Sequence, residues 1–497
     1  MGQYSVPDNI RKLRPAGTTV KAQKGHYYVY EYKSTSVKEV QPDGTSKWKT
    51  KTVMGACIGY ITLEEGFVSN KNKLAYSDIT VFEYGAYLFI KEYAGTTLTL
   101  LKKTFHPNEA TQIFSLAAAF LVNKFQNKKN VARLFEVSVL SKWFPNVQLG
   151  RTALDNLYEK LGRHGQLPDT FQQSLIDHSS KRVAIDGHVI ACSAEKGDLS
   201  AFGYKAKKLG TAQVNWMSAY DVQTGAPLCN EMFNGSDPDK TAIQVLFSRF
   251  SFTDTLFLVD RGFNTAKDKK LMSENGNTYI VPMISGRTDY NQVYAQLKFD
   301  KRRSFIYDKN GYSSVIRYSE YSSEDKSVRY FAFLDTTRQS AERQTYLKKM
   351  KNHEKGYTEE GLLESEKDFG LFLLETNDKN KKAVEVFTDY KARWSIETFY
   401  DYIDNDVDVN ALCLQDYCEY EGLGFIIQVC GMIYHDLKAQ ADEQNLSMKD
   451  IMSLLKGIKL VKERDRYVVR NDNKERRELS DRLKLKLENH GVNVSPT

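Results

Sequence analysis

The chain has 497 residues and a mass of 57.0 kDa, too long for one ordinary domain; at ~150 residues each, about three domains are expected. Hydrophobic residues make up 41%, enough to build cores, which excludes a wholly disordered chain. The net charge of +7, from 70 Lys and Arg against 63 Asp and Glu, permits a nucleic-acid partner without requiring one.

Residues 1–100 read as a β-rich module. Tyr27–Lys33 is aromatic and β-branched, and Pro42-Asp43-Gly44 signals a turn. The basic character of this opening segment suits either a lysine-guarded sheet edge or a DNA-facing surface. Residues 101–180 switch to helical periodicity, with one helix opened by Pro107-Asn108-Glu109 and another over Arg151–Leu161, as a connector or DNA-binding region. Strands follow at Val183–Cys192, Thr211–Tyr220 and Pro227–Phe233, the last two joined at Gln223-Thr224-Gly225. Asp237-Pro238 opens a helix with Asp as its cap, Thr255–Val259 is a buried-type strand, Asn264 caps the next helix, and Thr278–Met283 is a further strand. This alternation predicts an α/β sheet of mixed direction. A β-rich insertion is expected at 298–376, with strands near Phe305–Tyr307, Ser314–Tyr318, Val328–Leu334 and Phe369–Leu374 around a charged stretch, Thr337–Glu366. Helix resumes near Lys382 and runs through Ile403. An apolar helix over 419–442 and a charged helical tail over 447–489 complete a helical region at 416–497.

Three carboxylates stand out. Asp186 lies inside the strand Val183-Ala184-Ile185-Asp186-Gly187, where an ionised group is costly without a partner. Asp260 ends the apolar run Leu256-Phe257-Leu258-Val259, a place where Asp is also a common turn former. Tyr390, Arg393 and Glu397 stand at i, i+3 and i+7, on one face of a helix at ~100° per residue. An Arg and a Glu one turn apart are often only a surface ion pair. This stretch also carries Trp394, Ile396, Phe399 and Tyr400, so its Glu face is expected to pack toward the sheet. Carboxylates converging from two strands and a helix suit hard divalent cations such as a pair of Mg²⁺ ions.

These residues, in this order, resemble the Asp-Asp-Glu (DDE) transposases of bacterial insertion sequences. The resemblance rests on AIDGH at 184–188, LVDRGF at 258–263 and Tyr390-x2-Arg393-x3-Glu397, with a β-rich insertion between the second Asp and the Glu. GHYYVYEYK at 25–33 and CIGYI at 57–61 also resemble the opening of some members. It implies a ribonuclease-H-like mixed-sheet catalytic core over 181–415. Asp186, Asp260 and Glu397 would be catalytic and hold two Mg²⁺ ions, with Mn²⁺ as a substitute. Tyr390, Arg393, Trp394, Arg261 and His188 would contact DNA; for Trp394 a core position is the other reading, as is simple packing for His188. The implied partners are double-stranded DNA, as terminal inverted repeats and target, and a second copy in a paired-end dimer. The implied activity is cut-and-paste transposition in a bacterial cytoplasm, at the nucleoid. A ribonuclease-H-like structure-specific nuclease and a domesticated, inactive DNA-binding protein are the alternatives.

The family's Lys on the same helix is Asp404 here. Either another base takes over that phosphate contact, or Asp404 points away, or the cleavage chemistry differs. The neighbourhood is acidic, with seven Asp or Glu and no Lys or Arg over 401–421. Cys413, Cys418, Cys430 and His435 superficially resemble a zinc site, but Cys430 and His435 point ~140° apart on a helix and read better as packed residues. The six cysteines do not form a disulfide framework, which favours a reducing compartment. The longest apolar stretch, Ile113–Val122, is far shorter than the ~20 residues of a membrane helix, and Met1–Arg14 is polar and basic rather than a signal segment.

Overall fold

The computed structural model describes residues 6–23, 25–40, 46–64, 66–69, 81–164, 166–193, 197–203, 210–299, 303–309, 311–409, 412, 414–463 and 466–491. The chain divides into two units, 1–81 and 82–497.

The first unit is an antiparallel sheet of four strands, β1 (Thr18–Gln23), β2 (His26–Val40), β3 (Ser46–Thr62) and β4 (Gly66–Ser69), in sequential order. Val6, Ile10, Val29 and Ile61 form its core, with Tyr27, Ile58 and Phe67 packed against them. Bulges at Val29/Tyr30 and Tyr30/Tyr32 bend the long β2–β3 ribbon. The turn expected at 42–44 lies outside the described residues.

The second unit begins with β5 (Val81–Glu83) and the helix Gly85–Thr104. The β-rich reading of 1–100 is corrected here. Ile90, Ala94, Thr97 and Leu101 are buried at helical spacing, and the aromatic run around Tyr87 and Phe89 belongs to a buried helix. Helices Pro107–Asn123 and Arg151–Leu161 lie where the periodicity put them, the first with Pro at its opening position.

The centre is one nine-stranded mixed sheet. Strands β6 (Arg182–Cys192), β7 (Ala212–Asp221) and β8 (Ala226–Asn234) are antiparallel neighbours; β9 (Leu256–Val259) and β10 (Thr278–Pro282) add parallel to β6. The α/β mixed sheet is therefore as expected. The insertion does not stand apart from it. Strands β11 (Ser304–Lys309), β12 (Tyr312–Ser322) and β13 (Arg329–Asp335) continue through β14 (Leu371–Thr376) onto β10. The charged stretch at 337–366 is helical in two pieces, Thr336–Lys351 and Glu359–Ser365. Two cap assignments shift: Pro238 itself precedes the helix Asp239–Arg249, and Thr265, not Asn264, caps Ala266–Leu271 while Asn264 Nδ2 donates to Pro282 O at 2.9 Å.

The helix Tyr417–Gln444 crosses this layer and is buried along most of its length. It meets the helix Arg151–Leu161 at Gly422, where an added Cβ would lie 2.1 Å from Tyr158 O. The tail beyond it is not purely helical. After Met448–Lys456 the hairpin β15 (Lys459–Glu463) and β16 (Arg466–Arg470) forms, then the helix Lys474–Arg482 and a short β17 (His490–Gly491). These strands share a sheet with β5, which spaced polar residues did not announce. No described helix is long and apolar enough to cross a membrane.

A largely buried ionic network ties three helices, β8 and the turn at His164 together. Arg249 pairs with Asp169, Glu231 and Glu421, the last at 2.9 Å; Tyr417 OH donates to Glu231 Oε1 at 2.9 Å, and His164 Nε2 lies 3.4 Å from the same oxygen. Three carboxylates face one guanidinium, so burial, and next Glu421, push the Glu231 pKa upward; the hydrogen bond with Glu421 raises that of His164. Both folded-state pKa values lie above the unfolded ones. Their stabilising contribution is complete below the unfolded values and is lost as pH rises through the folded ones. Glu231→Gln should therefore lose less thermal stability than the wild type between pH 5 and pH 8, as measured by calorimetric Tm against pH. An unchanged or steeper decline would contradict this origin of the pH dependence.

Candidate active site

Strands β6 and β9 run parallel, with Arg182 opposite Leu256 and Ile185 opposite Val259. Asp186 and Asp260 each follow the last of these pairs, so they stand level on neighbouring strands ~4.8 Å apart. The Asp186 Oδ1 accepts from the Gly187 backbone N at 2.9 Å, and the Asp186 backbone O accepts from Tyr400 OH at 2.7 Å. Asp260 lines a cleft of about 380 Å³ together with Arg261, Tyr290, Arg338, Tyr390 and Lys391.

Glu397 is carried by a helical stretch. The expected continuous helix is in fact two, Ala383–Ala392 and Ser395–Tyr402. The backbone stays helical between them but tightens. The amides of Arg393, Trp394, Ile396 and Glu397 bond three residues back, to Tyr390, Lys391, Arg393 and Trp394. The second helix is seated by Ile396, Phe399 and Tyr400; Trp216 of β7, fully buried, lies 5.9 Å from the Phe399 ring and 5.8 Å from that of Tyr400. That packing turns Glu397 toward Asp186.

Arg393 joins them. Its Nη2 lies 2.7 Å from Glu397 Oε1 and its Nη1 3.4 Å from Asp186 Oδ2, and only 9% of the residue is exposed. Burial alone would lower its pKa, but Tyr390, Asp186, Asp260 and Glu397 outweigh that and raise it. The cation is thus held in place as the counter-charge of the site. Tyr390 lies under it, the guanidinium carbon 5.9 Å from the ring centroid. Burial lifts the Tyr390 hydroxyl to about 12; Arg393 opposes the shift and Asp260 adds to it. Tyr390 is therefore a neutral hydrogen-bonding group at physiological pH.

The structure brings Asp186, Glu397, Arg393 and Tyr390 together, with Asp260 level with Asp186. Trp394 faces outward, 67% exposed, which rules out the core reading. Arg261 is exposed on the short turn after Asp260. His188 shares the strand face of Asp186, and its partner is Asp404, with Nε2 2.8 Å from Asp404 Oδ1. The Tyr400 ring stacks on the imidazole at 4.6 Å and 15°. Asp404 therefore does not point away. It reaches the sheet because the chain passes Tyr402 into a π-helical turn, Ile403–Val407, which changes the side-chain phase. Residue spacing could not show this pairing; two residues 216 positions apart meet only through the fold. Among the described residues, the one group of three His, Cys, Asp or Glu whose ligand atoms fall within 4.8 Å of one another is His164, Glu231 and Glu421, and Arg249 already supplies its cation. The discounted cysteine cluster gains nothing. Cys430 is buried, with Sγ toward Ala117 O at 3.6 Å, and Cys413 lies outside the described residues.

Residues 177–417 match the family model described as the transposase DDE domain. The match spans a little under half of the chain. The matched segment holds both aspartates, the insertion strands and Glu397. Among solved structures, the piggyBac transposase synaptic complex with hairpin DNA is similar over 75% of this chain and 78% of that one, at 11% identity and a TM-score of 0.37. No curated protein matches the chain.

Removing the counter-charge should expose the repulsion within the matched segment. Arg393→Gln is expected to lower stability by about 1–3 kcal/mol in EDTA, because the carboxylates lose their buried partner. Added Mg²⁺ should restore more of the Tm in the variant than in the wild type. Equal Mg²⁺ responses would show that Arg393 does not neutralise these carboxylates.

Proposed function

We propose that this chain is a DNA transposase that binds terminal inverted repeats, cleaves the element ends and joins the 3′-hydroxyls to target DNA by a cut-and-paste route. The observation that carries the reading is Asp186 and Asp260 level on adjacent parallel strands, with Glu397 linked to Asp186 through Arg393, inside the matched domain.

The donor chemistry fits divalent metal ions. All three groups are carboxylates, the oxygen ligands that Mg²⁺ and Mn²⁺ favour, and they are compensated here by one buried cation. Asp186, Asp260 and Glu397 would hold the ions, which would activate a water or a 3′-hydroxyl and stabilise the leaving oxygen. Arg393 moves its fork from carboxylate to DNA phosphate as charge is redistributed, a geometry its guanidinium matches. Tyr390 orients that guanidinium from below. Asp404 fixes the ring of His188 beside the strand end, and Tyr400 stacks on it while holding the Asp186 backbone; both are positioning residues. Exposed Trp394 and Arg261 take up DNA at the rim. The N-terminal module, the helical region at 101–180 and the C-terminal region add phosphate contacts, so binding falls steeply with salt. Two ends are paired by a homodimer, in a bacterial cytoplasm.

Asp186→Asn, Asp260→Asn and Glu397→Gln should each keep DNA binding while Mg²⁺-dependent cleavage falls by a factor of about 10³ or more, on the order of 4 kcal/mol. Gel assays with duplex substrates measure both. Cleavage at the wild-type rate by any of the three sinks the metal assignment. Cutting without joining of pre-cleaved ends to a supercoiled target would leave a ribonuclease-H-like nuclease instead.

A further inference from the structure

The matched segment offers no basic side chain on the helix beyond Glu397. Asp404 is engaged with His188, and no Lys or Arg occurs over 401–421. Positive charge reaches the cleft from elsewhere. Lys391 and Arg338 both line the cleft that contains Asp260 and Tyr390, and both also line a wider groove of about 1100 Å³ on the side of Trp394. They form the wall between the two.

The Lys391 ammonium is half-buried among rings, 5.4 Å from the centroids of Phe372 and Phe387 and 6.0 Å from that of Tyr312. Among the described residues it has no hydrogen bond or ion pair. Burial pulls its pKa down; Asp335 opposes this and Arg338 adds to it. Asp335 cannot serve as a dedicated partner. It is fully buried, and its oxygens already accept from Tyr312 OH at 2.7 and 2.8 Å, Ser314 Oγ at 2.6 Å and the Arg338 backbone N at 3.1 Å. Arg338 gives its Nε to Glu342 Oε1 at 2.6 Å, which leaves both Nη groups without a hydrogen bond among the described residues. Its guanidinium carbon lies 6.0 Å from the same Phe372 ring. A half-buried ammonium with no carboxylate bonded to it and an exposed guanidinium whose Glu342 partner engages only Nε flank one aromatic ring, beside a cleft. A desolvated cation without its anion is costly.

We propose that Lys391 and Arg338 form an anion clamp that grips a DNA phosphate next to the catalytic carboxylates. The identity of the polyanion rests on the transposase reading; the anion site does not. The phosphate accepts two hydrogen bonds from the Arg338 fork and one from the Lys391 ammonium, and the ring walls strengthen these by excluding water. The clamp supplies the phosphate contact that Asp404 cannot make. It also gives the insertion a task in the site, since Arg338 is carried on the insertion helix and Lys391 on the helix that leads to Glu397.

The test is calorimetric titration with tripolyphosphate and with a short duplex of mixed sequence at several salt concentrations. It uses the full chain as wild type, Lys391→Met, Arg338→Gln and Lys391→Arg. Each neutral variant should weaken tripolyphosphate binding about tenfold, the equivalent of ~1.4 kcal/mol. Each should also reduce the salt slope of DNA binding by about 0.9, one phosphate contact's worth. Lys391→Arg should restore the slope, which a purely structural lysine would not require. Should Lys391→Met fail to fold, Arg338→Gln, altered at an exposed side chain, carries the comparison. A wild type that does not bind tripolyphosphate, or neutral variants with wild-type affinity and slope, overturns the clamp. Lys391-dependent tripolyphosphate binding without DNA binding keeps the clamp and removes the transposase reading.

Discussion

Asp186 within β6 and Asp260 just past the end of parallel β9 stand level and repel each other, and the arrangement around them answers that repulsion. The pairing of β6 with β9 sets Asp186 and Asp260 level. Glu397 adds a third negative charge, and water is partly excluded. Arg393 is the local answer: one guanidinium, almost fully buried, bonded to Asp186 and Glu397 and close to Asp260 and Tyr390. Its position depends on the tightened turn between the two helices, and that turn depends on Phe399 and Tyr400 seated against Trp216. A core contact on one face of the sheet therefore governs the charge balance at its end.

The insertion serves the same end. Because β14 pairs with β10 on one side and β13 on the other, β11–β13 are extensions of the central sheet that carries Asp186. Phe372 on β14 lies beneath both Arg338 and Lys391. Cations from two separate segments are thus registered against one ring with the precision of a sheet, not of a loop. The site is acidic on the strand side and basic on the insertion side, a division that suits a charged backbone passing between them. The net +7 of the chain is blind to this, being an average over segments of opposite sign.

Far from the strand ends, Arg249 holds Asp169, Glu231 and Glu421 in a second under-compensated cluster. The two clusters share a chemistry and differ in access. Around Arg249 the pair Glu231 and Glu421 is buried between β8 and the helix Tyr417–Gln444, and burial and the neighbouring carboxylate push the Glu231 pKa upward. Near Arg393, Asp260 opens toward a cleft, where a ligand can meet its charge.

Local patterns were sufficient for much of this. The alternation and apolar runs of β6 to β10, the proline-opened helix at 107 and the order of Asp186, Asp260 and Tyr390-x2-Arg393-x3-Glu397 are short-range signals, legible because each depends on neighbours within a few residues. The same logic placed 85–100 within a β-rich module, where the structure has the helix Gly85–Thr104. Its aromatic residues satisfy both periods, and only burial on several sides selects the helix. It also missed the β15–β16 hairpin, whose strands are stabilised by pairing in a sheet with β5, nearly 400 residues earlier. The sequence by itself singled out Asp186, Asp260 and the Tyr390-x2-Arg393-x3-Glu397 stretch as candidates. Tertiary structure alone decided that Arg393 would neutralise them, that Asp404 would turn to His188, and that Arg338 would stand beside Lys391. Those are contacts between segments distant along the chain, set by strand register and by the phase of a helix that changes pitch twice between Arg393 and Val407. Neither is encoded within any single local stretch.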